Sequence, residues 1–119
     1  MAVNEALAER VRAAAMDQTG RRHLELREKH MFGGLAFMFS DKMACGVVGD
    51  DLMVRVGTDA YDVSLRLPHA RPMDFTGRPM RGYVFIDADG CGTQAAVARW
   101  VTRAAIHIEE LISNGPSGR

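Results

Sequence analysis

The hydrophobic pattern begins at a helical period and then drops to two. Leu7, Val11, Ala14 and Ala15 recur at helical spacing, with Glu9, Arg10 and Arg12 turned to water, so residues from Ala6 to Met16 predict one amphipathic helix. Asn4 is placed to cap it, Glu5 suits its first turn, and Gly20 is expected to end it. The apolar stripe is mostly small, which predicts close packing on a sheet or on another helix. From His23 to His30 only Leu24 and Leu26 fit one face, as in an exposed edge strand whose charges discourage further pairing.

Between Met31 and Gly57 the alternation is strict. Leu35, Phe37 and Phe39 alternate with Ala36 and Met38; Met43, Cys45 and Val47 alternate with Ala44, Gly46 and Val48; Leu52, Val54 and Val56 follow, with Arg55 on the opposite face. Ser40-Asp41-Lys42 and Gly49-Asp50-Asp51 are the turns between them. Connections this short join antiparallel neighbours, so the stretch predicts a three-stranded meander. Gly33-Gly34 ahead of it reads as a turn or bulge needing positive φ.

Further on, Thr58 is placed to cap a short helix that Pro68 terminates, and the stretch from Ala70 to Arg81, broken by Pro72, Gly77 and Pro79, reads as a structured loop or a broken strand. Gly82 to Asp87 is a further strand, Asp89-Gly90 a turn, and Thr93 the cap of a long final helix. Val97, Trp100, Val101, Ala104, Ile108, Leu111 and Ile112 form that helix's apolar face. The predicted order is α-β-β-β-β-α-β-α: an α+β domain in which the last helix packs Trp100 across a central strand Leu35 to Phe39.

At 119 residues and 47% hydrophobic content, the chain is expected to form one domain over 1–119, with 114–119 a frayed tail. Zero formal net charge argues against bulk electrostatic attraction to nucleic acid. No apolar run approaches the roughly 20 residues of a membrane helix, and the N-terminus lacks the order of a signal peptide. A cytoplasmic protein that does not enter membranes is expected, with Cys45 and Cys91 reduced. The four histidines, His23, His30, His69 and His107, have no two-ligand spacing, and no phosphate-binding fingerprint surrounds Gly33-Gly34, so neither metal nor cofactor is expected.

The segments MFGGLAFM, KMACGVVGDDLMVRVG and ARPMDFTGRPMRGYVFID together resemble the N-terminal domain of the TfoX/Sxy family, named for a bacterial regulator of natural competence. The resemblance extends from about Ala13 through the last helix. It implies a bacterial α+β domain similar to type III secretion chaperones, and a regulatory role through protein contact, with a transcription factor such as the cyclic-AMP receptor protein as partner. Longer members carry a second, helical domain, which this chain of 119 residues is expected to lack.

The candidate contact residues lie in the Pro-stiffened segment: Arg71, Arg78 and Arg81, with Met80 and Tyr83 beside them and Asp74 the one nearby acid. Such a loop suits a phosphate or an acidic protein surface; the plainer alternative is that Asp74 pairs with one arginine and the loop is scaffolding. Two other functions stay open. A thiol-dependent enzyme would use Cys45, which reads as core, or Cys91, which reads as an accessible turn residue; no base stands at a recognisable spacing from either. Direct nucleic-acid binding would use the Arg71 to Arg81 loop.

Overall fold

The computed structural model describes residues 3–31, 33–73 and 80–114. Asp74, Arg78 and residues 115–119 of the expected tail lie outside them. Helix α1 (Glu5–Arg22) is followed by strands β1 (Leu26–Met31), β2 (Gly34–Phe39), β3 (Lys42–Val48) and β4 (Asp51–Arg55), the short helix α2 (Tyr61–Leu65), strands β5 (Ala70–Pro72) and β6 (Tyr83–Ile86), a 3₁₀ turn at Ala88–Cys91, and helix α3 (Gln94–Asn114). The predicted order holds, with one addition. The start of the proline-broken stretch pairs as strand β5, at the outer edge of the sheet, where a proline's missing N–H is tolerated.

The sheet is antiparallel throughout, in the order β1-β2-β3-β4-β6-β5. The edge strand expected from Leu24 and Leu26 is β1. Between β2 and β3 the register slips: Phe37 faces Cys45, yet Met38 faces Met43, which leaves Ala44 as the extra residue of a bulge. Ala44 and Cys45, although adjacent, therefore both join the helix-side core. Met43, expected on the same side as Cys45, packs instead on the far face.

The helix-covered core contains Phe37, Phe39, Val47, Leu52, Val54 and Ile86, all fully buried. Helix α1 touches β2 and β3, whereas α3 touches β3 and β4 and lies along α1. Strand β2 is thus neither central nor mainly covered by the last helix, as the sequence suggested; α1 covers it. Alanines at 8, 14, 15, 104 and 105 are almost completely buried, and their small side chains let the two helices share one sheet face. Trp100, 7% exposed, belongs to this core, while Ile112, expected on the stripe, is 44% exposed. Helix α3 has turned it out beyond the edge of the apolar contact.

Capping follows expectation at α1 and α3. The Asn4 side-chain oxygen accepts from the Leu7 N–H at 3.0 Å, and Thr93 Oγ1 from the Ala96 N–H at 3.1 Å. It differs at α2, where Ala60 precedes the helix and Thr58 offers only its carbonyl, 3.4 Å from the Tyr61 N. Gly20 does not end α1 either. The helix runs to Arg22 and stops at His23, whose left-handed backbone (φ 57°) brings its N–H to the Thr19 carbonyl. Contacts on either side of Gly20 outweigh the weak helix propensity of one glycine: Thr19 is buried, and Arg22 Nη1 reaches Glu109 Oε1 of α3 at 2.5 Å. Arg12 clamps both oxygens of Glu28, holding α1 to β1, and this keeps the Glu28 carboxyl below its usual pKa.

A Cβ added at the exposed Gly20 meets nothing within 4 Å. Gly20→Ala is therefore expected to stabilise the protein by about 0.5–1 kcal/mol, raising the midpoint of a thermal melt by about 2–4 °C. A lowered midpoint would mean that the last turn of α1 is not helical.

Candidate functional site

Two groups of chemistry-bearing residues stand out, one on the uncovered sheet face and one beside α3. On the sheet, the paired residues Lys29, Ala36, Gly46, Met53, Phe85 and Arg71 form one row across all six strands. Gly46 keeps the row low: a Cβ there would lie 2.8 Å from the Leu35 carbonyl oxygen and 3.3 Å from the end of Met53. Met53, Phe85 and Met73 form a small buried cluster on this face, with Tyr83, Val48 and Met43 packed against it.

Arg71 and Arg55 flank that cluster, and Arg81 stacks on α2 instead. Arg71 stands over the Phe85 ring, 4.9 Å from its centroid, and bonds Asp51 Oδ2 at 2.5 Å. Arg55, directly opposite Tyr83 in the ladder, lies 5.6 Å over the tyrosine ring. Arg81 is 5.2 Å over Tyr61 and 3.5 Å from Asp62. Each guanidinium is thus oriented by a π face. Of the five residues singled out by sequence, Arg71, Met80, Arg81 and Tyr83 can be placed: Arg71 and Tyr83 lie on neighbouring strands of this sheet face, Arg81 is turned toward α2, and Met80 is 39% exposed. Arg78 is outside the described residues, and so is Asp74, the acid that the plainer alternative pairs with one of these arginines. Arg71 and Arg81 use Asp51 and Asp62 as their partners.

The second group was not anticipated from the sequence. Beside the β4–α2 connection two adjoining cavities, about 500 and 340 Å³, share Val56, Asp59, Ala60, His107 and Glu110 as walls. The larger extends to Lys42, Arg55 and Leu111, and the smaller to Ser64, Arg103 and Ile106. Gly57 makes this groove possible. Its backbone is left-handed (φ +89°), and a Cβ there would lie 2.4 Å from His107 Nδ1, so the imidazole packs where any other residue would place its side chain. Partial burial pulls the His107 pKa below its usual value and the charge of Arg55 adds to this, while Glu110 and Asp59 oppose it. The signals were present as a glycine just after a strand and a histidine in the last helix. Nothing local joins two residues fifty positions apart.

The thiols are both interior. Cys45 is fully buried, with its pKa pushed up to about 12 by desolvation. Cys91, expected to be the accessible thiol of a turn, is 2% exposed; the 3₁₀ turn rolls it inward, 3.1 Å from the Asp87 carbonyl oxygen. Burial first, then the charges of Asp51 and Asp87, push it up to about 11. Among the described residues no three His, Cys, Asp or Glu side chains gather as metal ligands, and no helix is long and apolar enough to cross a membrane.

Compared with known proteins, residues 18–108 match the family described as the TfoX N-terminal domain. No curated protein and no solved structure matches the chain.

Two measurements check these placements. A thiol reagent at neutral pH should modify Cys45 and Cys91 far more slowly in the native protein than after unfolding in guanidinium; rapid native labelling of Cys91 would contradict its inward orientation. His107 sets a pH dependence. Its folded pKa is depressed below the reference 6.5, so the unfolded chain takes up the proton first, and stability that is complete above that pH is lost as pH falls through the folded value. The thermal midpoint should therefore drop more steeply between about pH 7 and pH 5 in the wild type than in His107→Gln. Parallel curves would show that the ring is not desolvated.

Proposed function

The chain belongs to the TfoX N-terminal domain family, and from that premise we propose that it is a non-enzymatic regulatory module that acts by contact with a protein partner, a bacterial transcription factor of the cyclic-AMP receptor type. The observation that supports the contact surface is the set of arginine–aromatic pairs, Arg71 on Phe85, Arg55 on Tyr83 and Arg81 on Tyr61. Arginine and tyrosine dominate the energetics of protein interfaces, and methionine is enriched there. Side chains already held by rings and carboxylates lose less freedom on binding. Arg71, Arg78, Met80, Arg81 and Tyr83 are the proposed contact residues.

Two findings weigh against the alternatives. Thiols that burial keeps protonated are poor nucleophiles for a thiol-dependent enzyme. Arg71 and Arg81 are committed to Asp51 and Asp62, which leaves less free charge for a phosphate backbone.

The test is calorimetric binding to the purified cyclic-AMP receptor protein of the same bacterium, with duplex DNA alone as a control. Replacing Arg78 and Arg81 together by alanine should weaken binding by roughly tenfold, more at low salt, while the thermal midpoint moves by only a few degrees, since exposed substitutions usually change stability by about 0.5 kcal/mol or less. Unchanged binding would place the contact elsewhere. Tight binding to DNA alone would favour the nucleic-acid reading.

A further inference from the structure

The groove beside His107 brings two features together. The first is unpaired charge of both signs. Elsewhere some arginines are tied to carboxylates, as Arg12 is to Glu28, Arg22 to Glu109 and Arg71 to Asp51. Among the described residues none of the groove's own charges, Lys42, Arg55, Arg103, Asp59 and Glu110, forms an ion pair. Two of its cations are held by rings instead, Arg55 over Tyr83 and Arg103 over Trp100. The opposite charges line the cavity without pairing: Asp59 and Glu110 stand on its shared walls, Lys42 and Arg55 on the larger lobe only.

The second feature is Ser64, which lines the smaller lobe. It is completely buried, and its hydroxyl is without a hydrogen-bond partner among the described residues. Buried polar groups are nearly always paired in folded proteins, and the exceptions call for a water, an ion or a functional partner. Val56, Ala60 and Ile106 around it offer aliphatic surface, so the lobe suits a short side chain with a polar tip.

We propose that this groove binds a free α-amino acid, with its carboxylate at Lys42 and Arg55, its ammonium between Asp59 and Glu110, and a polar-tipped side chain directed along Val56 and Ile106 to the Ser64 hydroxyl. A zwitterion matches both signs of charge at once. A simple anion leaves Asp59 and Glu110 uncompensated, and a simple amine leaves Lys42 and Arg55 so. Because an unsatisfied hydroxyl discriminates against ligands that cannot pair with it, amino acids with an amide or hydroxyl tip are favoured over aliphatic ones of similar size. The site goes beyond the protein-contact role, with which it shares Arg55 alone among the residues named for either.

Isothermal titration with the individual L-amino acids, on the full chain at neutral pH, tests the assignment. Saturable binding of an amide- or hydroxyl-bearing amino acid is expected, weakened at least tenfold both by N-acetylation, which removes the ammonium, and by replacing the carboxylate with a carboxamide. Ser64→Ala should lower affinity about fivefold or more with no loss of thermal stability, because the hydroxyl it removes satisfies nothing in the free protein. Glu110→Gln, an exposed change that leaves the fold intact, should lower it similarly. The proposal is overturned if no amino acid binds up to roughly 10 mM, if the N-acetylated form binds as well as the zwitterion, or if Ser64→Ala and Glu110→Gln both bind as the wild type does.

Discussion

Burial of one sheet face under two helices at once is the constraint on which the rest of this molecule depends. Phe37, Phe39, Val47, Leu52 and Val54 present an apolar surface that α1 and α3 cover only by lying side by side, and side-by-side packing over a sheet requires small residues where the helices meet. The alanines at 8, 14, 15, 104 and 105 satisfy that condition. The polar ties reinforce the same arrangement. Gln94 Nε2 donates to the Arg10 carbonyl at 2.8 Å, Arg10 to the Cys91 carbonyl at 3.3 Å, and Arg22 to Glu109, so each end of the helix pair is fastened. Most of the hydrophobic stabilisation resides in this layer, and the ion pairs contribute orientation more than energy.

The other face follows from the first. With both long helices on one side, the β4–β6–β5 half of the far side is left to a small cluster of Met53, Met73 and Phe85, and arginine stems and guanidinium planes cover what apolar side chains do not. Arginine is suited to this task, since its flat cation stacks on rings while remaining hydrated at the edge. The bulge at Ala44 serves both faces. It returns Cys45 and Val47 to the helix side after the tight turn, and it sends Met43 to the opposite cluster.

The groove arises where the two layers stop matching. Beyond Arg55 the chain leaves the sheet, and Gly57 and Gly82 take left-handed backbone as the N–H groups of Val56 and Gly57 both reach the Gly82 carbonyl, at 2.8 and 3.0 Å. The C-terminal half of α3 overhangs this departure, with His107 seated against Gly57. Charged residues on α3 and on the connection thus face each other across space rather than in contact. This geometry separates the groove from the sheet face, although Arg55 takes part in both.

The elements and their order were legible in the sequence, because period, caps and turn residues are local: Asn4 and Thr93 cap as their positions suggest, and the alternation of Leu52, Val54 and Val56 becomes an inward row. It also identified the family, through motifs that are contiguous in the chain. Local signals failed where a long-range contact outweighed them. Gly20 is carried through the helix by Thr19 and Arg22, Cys91 is rolled inward by a 3₁₀ turn, Met43 changes face through a bulge, and Arg71 and Arg81 find acids twenty and nineteen positions away in sequence. The groove was beyond sequence reading altogether. Lys42, Gly57, Ser64 and His107 come from four different parts of the chain, and only the packing of α3 over the β4–α2 connection makes them neighbours, since a cavity is a property of what surrounds it and not of any one segment.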